Sequence, residues 1–306
     1  DGLNTFEGIK GRLQRRPGLN GAVLLDDTYN ANPDSVRAGI DVLAATVGKK
    51  VLVLGDMGEI GDMTGQFHDE VGGYAKSQGI QIHLWTNWKP LYAKIDEAFA
   101  LFEKWGVVGM MIDFMDRDDQ EMIRIQEEFL AKAAKHHLFV QFHGACKPSG
   151  LNRTYPNEFT REGTLNYEHC KWDKDTDADH DIHMPFTRLL AGATDYHLGG
   201  FRSLPRDKFK NQERNPYVMS TRCHMLAMYV VLESYLGMIC DTPEAYEGQP
   251  GFEFLQTVPT TWDKTVVPDA SVNEYVAIAR RHGDDWYVGA INNSQVRNVE
   301  IALDFL

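Results

Sequence analysis

With 306 residues, 43% hydrophobic content and 25% charged residues, the chain can bury a full core as one large domain or two smaller ones. Its 31 Lys plus Arg against 44 Asp plus Glu leave a net charge of −13, which repels phosphate backbones and argues against nucleic acid as a partner. No apolar run approaches the roughly 18 residues of a membrane span, so no membrane partner is expected. The start, Asp1-Gly-Leu-Asn4, lacks the basic and apolar regions of a signal peptide, but so abrupt a beginning leaves the compartment unknown. Cys146, Cys170, Cys223 and Cys240 are widely separated without CxxC spacing and are expected to be free, buried thiols.

Along the chain, strand-like apolar runs alternate with helix-like stretches. Ala22-Val-Leu-Leu25 leads into Asp26-Asp27; Asn32-Pro33 then offers an N-cap and a first-turn proline, and Val36, Ile40 and Leu43 follow at helical spacing. Val51 to Leu54 and a helix over Phe67 to Lys76 make a second βα unit. Ile80 to Trp85 is a third strand signal, and Leu91, Ile95, Ala98, Phe99 and Phe102 mark one face of a helix ending near Trp105-Gly106. Val107 to Phe114 and Leu138 to Phe142 repeat the strand signal, with a helix between them carrying Ile123, Phe129, Leu130 and Ala133. Such alternation predicts an α/β fold with a parallel sheet.

From about Gly150 to Lys210 the pattern weakens into long loops, broken by Met184 to Ala193; loops of this length are usually functional. Cys223 to Ile239 reads as a buried helix and strand. The last forty residues predict an antiparallel β module from Glu274 to Ala279, a turn at His282 to Asp285, Trp286 to Ile291, and the alternation of Val299, Ile301, Leu303 and Phe305.

Several polar residues stand out. Asp113 closes a buried apolar run, where an acid without a role or partner would be costly. Glu162 and Glu168 follow on a later loop, and together these acids are the raw material of a two-carboxylate glycosidase. Asp116, Asp118 and Asp119 read as helix-start acids, and His136-His137 as a partner of a helix C-terminus. His143 orients a substrate or bonds a neighbour. Of Trp85 and Trp88, one is expected in the core while the other could be a sugar platform.

Two resemblances lie on this one chain. Gly11-Arg-Leu13, Asp26 to Pro33, Gly55-Asp-Met-Gly-Glu59 and His68 resemble the first half of the C-terminal domain of the Mur ligase that adds D-alanyl-D-alanine to the peptidoglycan precursor. That resemblance implies that Arg12 and Asp27 occupy positions approaching ATP. The phosphate-binding Gly-x-x-x-x-Gly-Lys-Ser/Thr loop is absent, however, so both are expected to be ordinary polar residues at strand ends, and no ATP binding is expected.

From about Ile80 onward, Ile112 to Gln120, Tyr155-Pro-Asn157, Thr160-Arg-Glu-Gly163, Pro185-Phe-Thr-Arg188, Ala245 to Gly251 and Asp285 to Gly289 resemble glycoside hydrolase family 97. The resemblance implies a (β/α)8 TIM-type barrel with a small C-terminal antiparallel β module and, in the family, an N-terminal β-sandwich. Inverting members carry a glutamate after the histidine ending strand five, whereas here His143 is followed by Gly144. With Asp113 ending strand four, the chain resembles the retaining, α-galactosidase-like branch. By that likeness Asp113 is the nucleophile and Glu168 the acid/base, two carboxyl groups about 5 to 5.5 Å apart acting on an oligosaccharide or small α-galactoside. Glu162 and Glu168 fall where the family binds calcium, which takes roughly six to eight oxygens. Such hydrolases are typically periplasmic or secreted, such ligases cytoplasmic.

These readings predict a ligase-like segment over 1–79, a barrel portion over 80–262 and a β module over 263–306. The two ligase-like strands are expected to replace the first two barrel strands, with Val23 to Asp26 running parallel to a hydrolase-type neighbour and Asp27 and Asp56 on the C-terminal rim; the rival is two separate lobes. The function readings are a retaining α-galactosidase, an inactive chimeric scaffold, and an ATP-binding ligase fragment.

Overall fold

The computed structural model describes residues 13–17, 23–27, 32–48, 50–54, 64–213 and 215–306, so Arg12 and Asp56 lie outside the described residues. Two units divide the chain, residues 1–144 with 151–159, and residues 145–150 with 160–306.

In the first unit, β1 (Gln14–Pro17) and β2 (Val23–Asp26) pair antiparallel, with Gln14 opposite Asp26. This corrects the expected parallel pairing of Val23 to Asp26 with a hydrolase-type strand. The partner is a sequence neighbour, so closing the loop costs little entropy, and the Asp27 carboxylate takes the Leu13 amide at 3.0 Å. Asp27 is thereby engaged in local structure. Helix α1 (Pro33–Ala44) follows a reciprocal cap between Asn32 and Ser35 and buries Val36 and Ile40, as the spacing predicts.

The second ligase-like strand does join the sheet. β3 (Val51–Val53) runs parallel to β4 (Gln81–Asn87), and β5 (Val107–Asp113) and β6 (Phe139–Phe142) continue in parallel. The sheet order is β3-β4-β5-β6-β7, where β7 (Glu158–Arg161) begins in the first unit and ends in the second. β5 has five buried residues in seven, the mark of a parallel strand covered on both faces.

Between the strands lie α2 (Thr64–Ser77), α3 (Trp88–Tyr92), α4 (Ile95–Trp105) and α5 (Gln120–Lys135), with α6 (Leu151–Thr154) before β7. The single helix expected over Leu91 to Phe102 is broken at Ala93-Lys94 into α3 and α4. Asp119 is the N-cap of α5, accepting the Met122 amide, which places it among the helix-start acids anticipated. His136 follows that helix and meets Glu103 at 2.7 Å.

Phe99, fully buried, sets its ring tilted against Phe102 and Phe129 and edge-on to His136, at centroid distances of 6.3 Å. The ligase-like α2 packs on this layer: Asp69 accepts from Lys104 Nζ at 2.8 Å and Trp105 Nε1 at 2.6 Å, and His68 lies against the Trp105 ring. Trp88 is the buried member of the tryptophan pair, whereas Trp85 is 56% exposed.

The second unit contains a 3-10 turn over Tyr167–Lys171, α7 (Ala178–His183), β8 (His197–Leu198), α8 (Arg222–Val231), β9 (Met238–Ile239), α9 (Pro243–Tyr246) and α10 (Phe252–Thr257). Its core gathers Met184, Leu198, Phe209, Met225, Met228 and Val231 against Val276, Ile278 and Ile291. β10 (Lys264–Ser271), β11 (Tyr275–His282) and β12 (Asp285–Asn292) form an antiparallel sheet in sequence order. Its third strand is not the predicted alternation from Val299 to Phe305. That segment forms no strand; Phe305 packs on Trp286 at 5.0 Å, and β10 carries the pairing despite Pro268, which a register shift between Val266 and Asp269 absorbs. Arg280 bridges sheet and helix by donating to the Val230 and Val231 carbonyls at the end of α8. All four cysteines are free, but only Cys170 is buried; Cys146 is half-buried, and Cys223 and Cys240 are exposed.

Truncating Phe99 to alanine removes a fully buried ring and is expected to destabilise the first unit by about 3–5 kcal/mol, against under about 1 kcal/mol for Lys104→Ala at the surface. Urea denaturation of both variants checks this; similar midpoints would show that the ring cluster is not the core.

Candidate active site

Three adjacent parallel strands bring the sequence-predicted residues of the first unit together. β5 ends on Asp113, β6 is followed at once by His143, and β4 carries Trp85 two residues before its end. Register does the placing: Ile112 lies opposite Phe142, Asn87 opposite Asp113, and the His143 amide donates to the Ile112 carbonyl at 2.9 Å. Side chains at the C-terminal ends of parallel strands are where α/β folds gather chemistry.

The Asp113 carboxylate is almost buried, with 8% of the residue exposed. Its Oδ2 accepts from Trp85 Nε1 at 3.0 Å, and its Oδ1 accepts the Phe114 amide at 2.6 Å and lies 3.3 Å from His143 Nδ1. Burial works against the ionised form, but the His143 bond and charge, the Phe114 amide and the Trp85 indole together outweigh it and hold the carboxyl below its ordinary value. The result is a desolvated anion kept ready at the mouth of the sheet.

The backbone is bent to make this cradle. Phe114 and Asp116 have φ of 62° and 41°, conformations that cost non-glycine residues energy and persist only where the surroundings enforce them. Gly144 has φ of 47° and its carbonyl accepts the Asp116 amide at 2.5 Å. A Cβ on Gly144 would lie 3.0 Å from the Phe114 nitrogen and 3.1 Å from Asp113 Oδ1. A side chain there would therefore press on the carboxylate itself. Phe114 meets Trp85 edge-on at 6.0 Å, and both rings are more than half exposed, an aromatic surface beside the acid.

In the second unit, Glu162 and Glu168 share one organiser that the sequence reading missed. Asn166 Nδ2 donates to Glu162 Oε1 at 2.6 Å, while its Oδ1 caps the 3-10 turn by accepting the Glu168 amide at 2.8 Å. Arg188, buried, donates to the carbonyls of Arg161, Glu162 and Gly192 and so holds the backbone entering this segment. Gly163 turns the chain with φ of 58°, where a Cβ would meet the Lys147 backbone at 2.6 Å. Glu168 is half-buried; its Oε1 pairs with Lys171 Nζ at 3.2 Å and its Oε2 is 3.7 Å from His197 Nδ1. The one local signal for Asn166 was its place two residues before an acid, the pattern of an Asx turn.

Comparison with known proteins bears on both halves. Residues 62–164 match the family described as Glycoside hydrolase 97, residues 261–306 match its C-terminal module, and residues 11–103 match the Mur ligase glutamate ligase domain. The chain is 38% identical over 240 residues to a protein of Bacteroides thetaiotaomicron named retaining alpha-galactosidase, covering 78% of this chain and 36% of that protein. It is 43% identical over 79 residues to the UDP-N-acetylmuramoyl-tripeptide--D-alanyl-D-alanine ligase of Escherichia coli, covering 26% and 18%. Among solved structures, a glycoside hydrolase family 97 enzyme from a Pseudoalteromonas species in complex with acarbose superposes with a TM-score of 0.70 at 28% identity, over 92% of this chain and 49% of that one. The chain thus spans about a third of the length of its curated hydrolase relatives and about half of the solved one. On a single polypeptide, a segment that matches the Mur ligase glutamate ligase domain is followed by a segment and a C-terminal module that match glycoside hydrolase family 97.

Proposed function

We propose that the chain carries the catalytic portion of a retaining glycoside hydrolase acting on α-galactosides, with Asp113 as nucleophile and Glu168 as general acid/base. The observation that supports this most is the Asp113 carboxylate, buried at the end of a parallel strand, held ionised by fixed donors and bordered by an exposed aromatic surface. Such a group attacks the anomeric carbon while a second carboxyl group protonates the departing oxygen, which leaves as the alcohol; water then cleaves the glycosyl ester as the second group, now a carboxylate, takes a proton from that water. His143 orients and charges Asp113, and the Trp85 face offers a platform for a sugar's C–H surface. Gly144, standing where inverting members carry their base, leaves room for the Asp113 carboxylate in its place. The α-galactoside preference rests on the relatives named as retaining and probable retaining alpha-galactosidases.

Calcium is the ion that the resemblance implies, and Glu162 and Glu168 are the residues that would hold it. Glu168 must keep one oxygen free for the proton it transfers, so the pair supplies at most three of the roughly six to eight oxygens a calcium ion takes, and the remainder must come from water or further protein. Lys171 places a competing cation on Glu168. A barrel that takes β3, and not β2, from the ligase-like segment, and the boundaries near residues 79 and 262, are part of the same proposal, supported by the four parallel strands β3 to β6.

Hydrolysis of an aryl α-galactoside with calcium present tests the reading: Asp113→Asn is expected to lower turnover by at least about a thousandfold. Equal, negligible rates for both proteins would leave an inactive scaffold. His143→Ala leaves the burial that raises the Asp113 pKa and removes the largest of the interactions that lower it, the Phe114 amide and Trp85 indole remaining, so the acid limb of the rate profile is expected to move to higher pH. An unmoved limb would assign it to another group. Gly144→Ala is expected to lose turnover and about 1–3 kcal/mol of stability, whereas Gly79→Ala, with φ of 69° but nothing within 4 Å of the new Cβ, is expected to lose only the conformational part.

A further inference from the structure

Behind the Glu168 segment lies a second, completely buried carboxyl group that the catalytic reading does not use. Asp181, on α7, has no exposed surface. Its Oδ2 accepts from the Tyr167 hydroxyl at 2.5 Å and lies 2.8 Å from His224 Nε2, and its Oδ1 accepts from the Tyr196 hydroxyl at 2.7 Å. Burial first, and then the Asp181 charge, push both phenols far above their ordinary values, so both remain O–H donors throughout the working pH range. Every part of the cluster comes from a different place in the chain: the 3-10 turn, the segment before β8, and helix α8.

The sequence neighbours of these donors give the cluster its meaning. Tyr167 immediately precedes Glu168, and Tyr196 immediately precedes His197, the imidazole 3.7 Å from the Glu168 carboxylate. The same short helix grips the segment at two further points. His180 Nε2 meets the Leu165 carbonyl at 3.0 Å, and just ahead of the helix Thr176 Oγ1 donates to the Asn166 carbonyl at 3.1 Å. His180 also lies flat against the Tyr196 ring, interplanar angle 14°. At its other side α7 is tied to the C-terminal module, where the Ser294 amide donates to Asp179 at 2.7 Å.

We infer that Asp181 is a positioning residue, a buried keystone that clamps the segments bearing Glu168 and His197 so that the Glu168 carboxyl group is presented in one orientation. The inference rests on the reading of Glu168 as acid/base. A carboxylate suits the task because it accepts from several donors at once, and an incompletely satisfied one is too costly to leave buried, so the donors cannot drift singly. A clamp of this kind acts through precision of placement, in which small displacements are expensive for a proton-transferring group.

The test uses the full chain, with Asp181→Asn as the main variant and Tyr167→Phe and Tyr196→Phe as milder ones that each remove a single hydroxyl. Tyr275→Phe, which breaks a hydroxyl bond to Asp269 in the C-terminal module, is the control. Amide hydrogen exchange is expected to quicken by at least about tenfold in residues 165–172 and 194–198 and to stay unchanged in 264–292. On α-galactosides, kcat is expected to fall with KM little altered, and more for an alkyl leaving group, which needs the proton, than for a dinitrophenyl one. Unchanged exchange in both segments, or faster exchange throughout the unit, would overturn the inference. So would fast exchange with wild-type turnover of the alkyl substrate. If the wild-type chain turns over neither substrate, the acid/base reading falls, and exchange alone decides whether the clamp exists.

Discussion

A carboxyl group removed from water must be met by donors, and this constraint shapes each unit around one acid. In the first unit, Asp113 takes the Trp85 indole, the Phe114 amide and the His143 ring, which requires three neighbouring strands in one register and a strained turn after the middle strand. In the second, Asp181 takes two tyrosines and a histidine from three distant segments. The two solutions differ in exposure. Asp113 keeps a narrow opening beside exposed aromatic rings, while Asp181 is sealed.

A ligase-like strand extends the hydrolase-like sheet through β3. β3 needs only backbone pairing and apolar cover to extend a parallel sheet, and β4 supplies the first. Helix α2 packs against α4 and β4, with Val71 and Ala75 fully buried, while the Asp69 bonds to Lys104 and Trp105 set its place on α4. The exposed ion pairs along this seam contribute little; the apolar contacts and the buried side of Trp105 carry the attachment. β1 and β2 follow a different logic, pairing with each other because each is the other's nearest strand in sequence.

Helix positions were legible where periodicity and caps agreed. Asn32-Pro33 and Asp119 begin helices as read, and Val107 to Asp113 is the buried strand its composition predicts. Misreadings came where a local pattern had two outcomes. Val299 to Phe305 alternates like a strand but finds no partner edge, whereas Lys264 to Ser271, interrupted by Pro268, does. The expected parallel partner of Val23 to Asp26 failed for a similar reason, because pairing is a property of two segments and the sequence of one does not name the other.

The amino-acid sequence by itself determined which families the two segments resemble, that an acid closes the strand at Asp113, and that Glu162 and Glu168 follow on an irregular segment. These are local facts, carried by residue type and spacing. Only the tertiary structure decided that Trp85 and His143 converge on Asp113, that Trp88 is core, that Gly144 must lack a side chain, and that Asn166 and Arg188 hold the glutamates. It alone revealed Asp181, since Tyr167, Asp181, Tyr196 and His224 have no common period or motif. Their relation exists only once burial has stripped away water and left each hydroxyl and imidazole to meet the Asp181 carboxyl group.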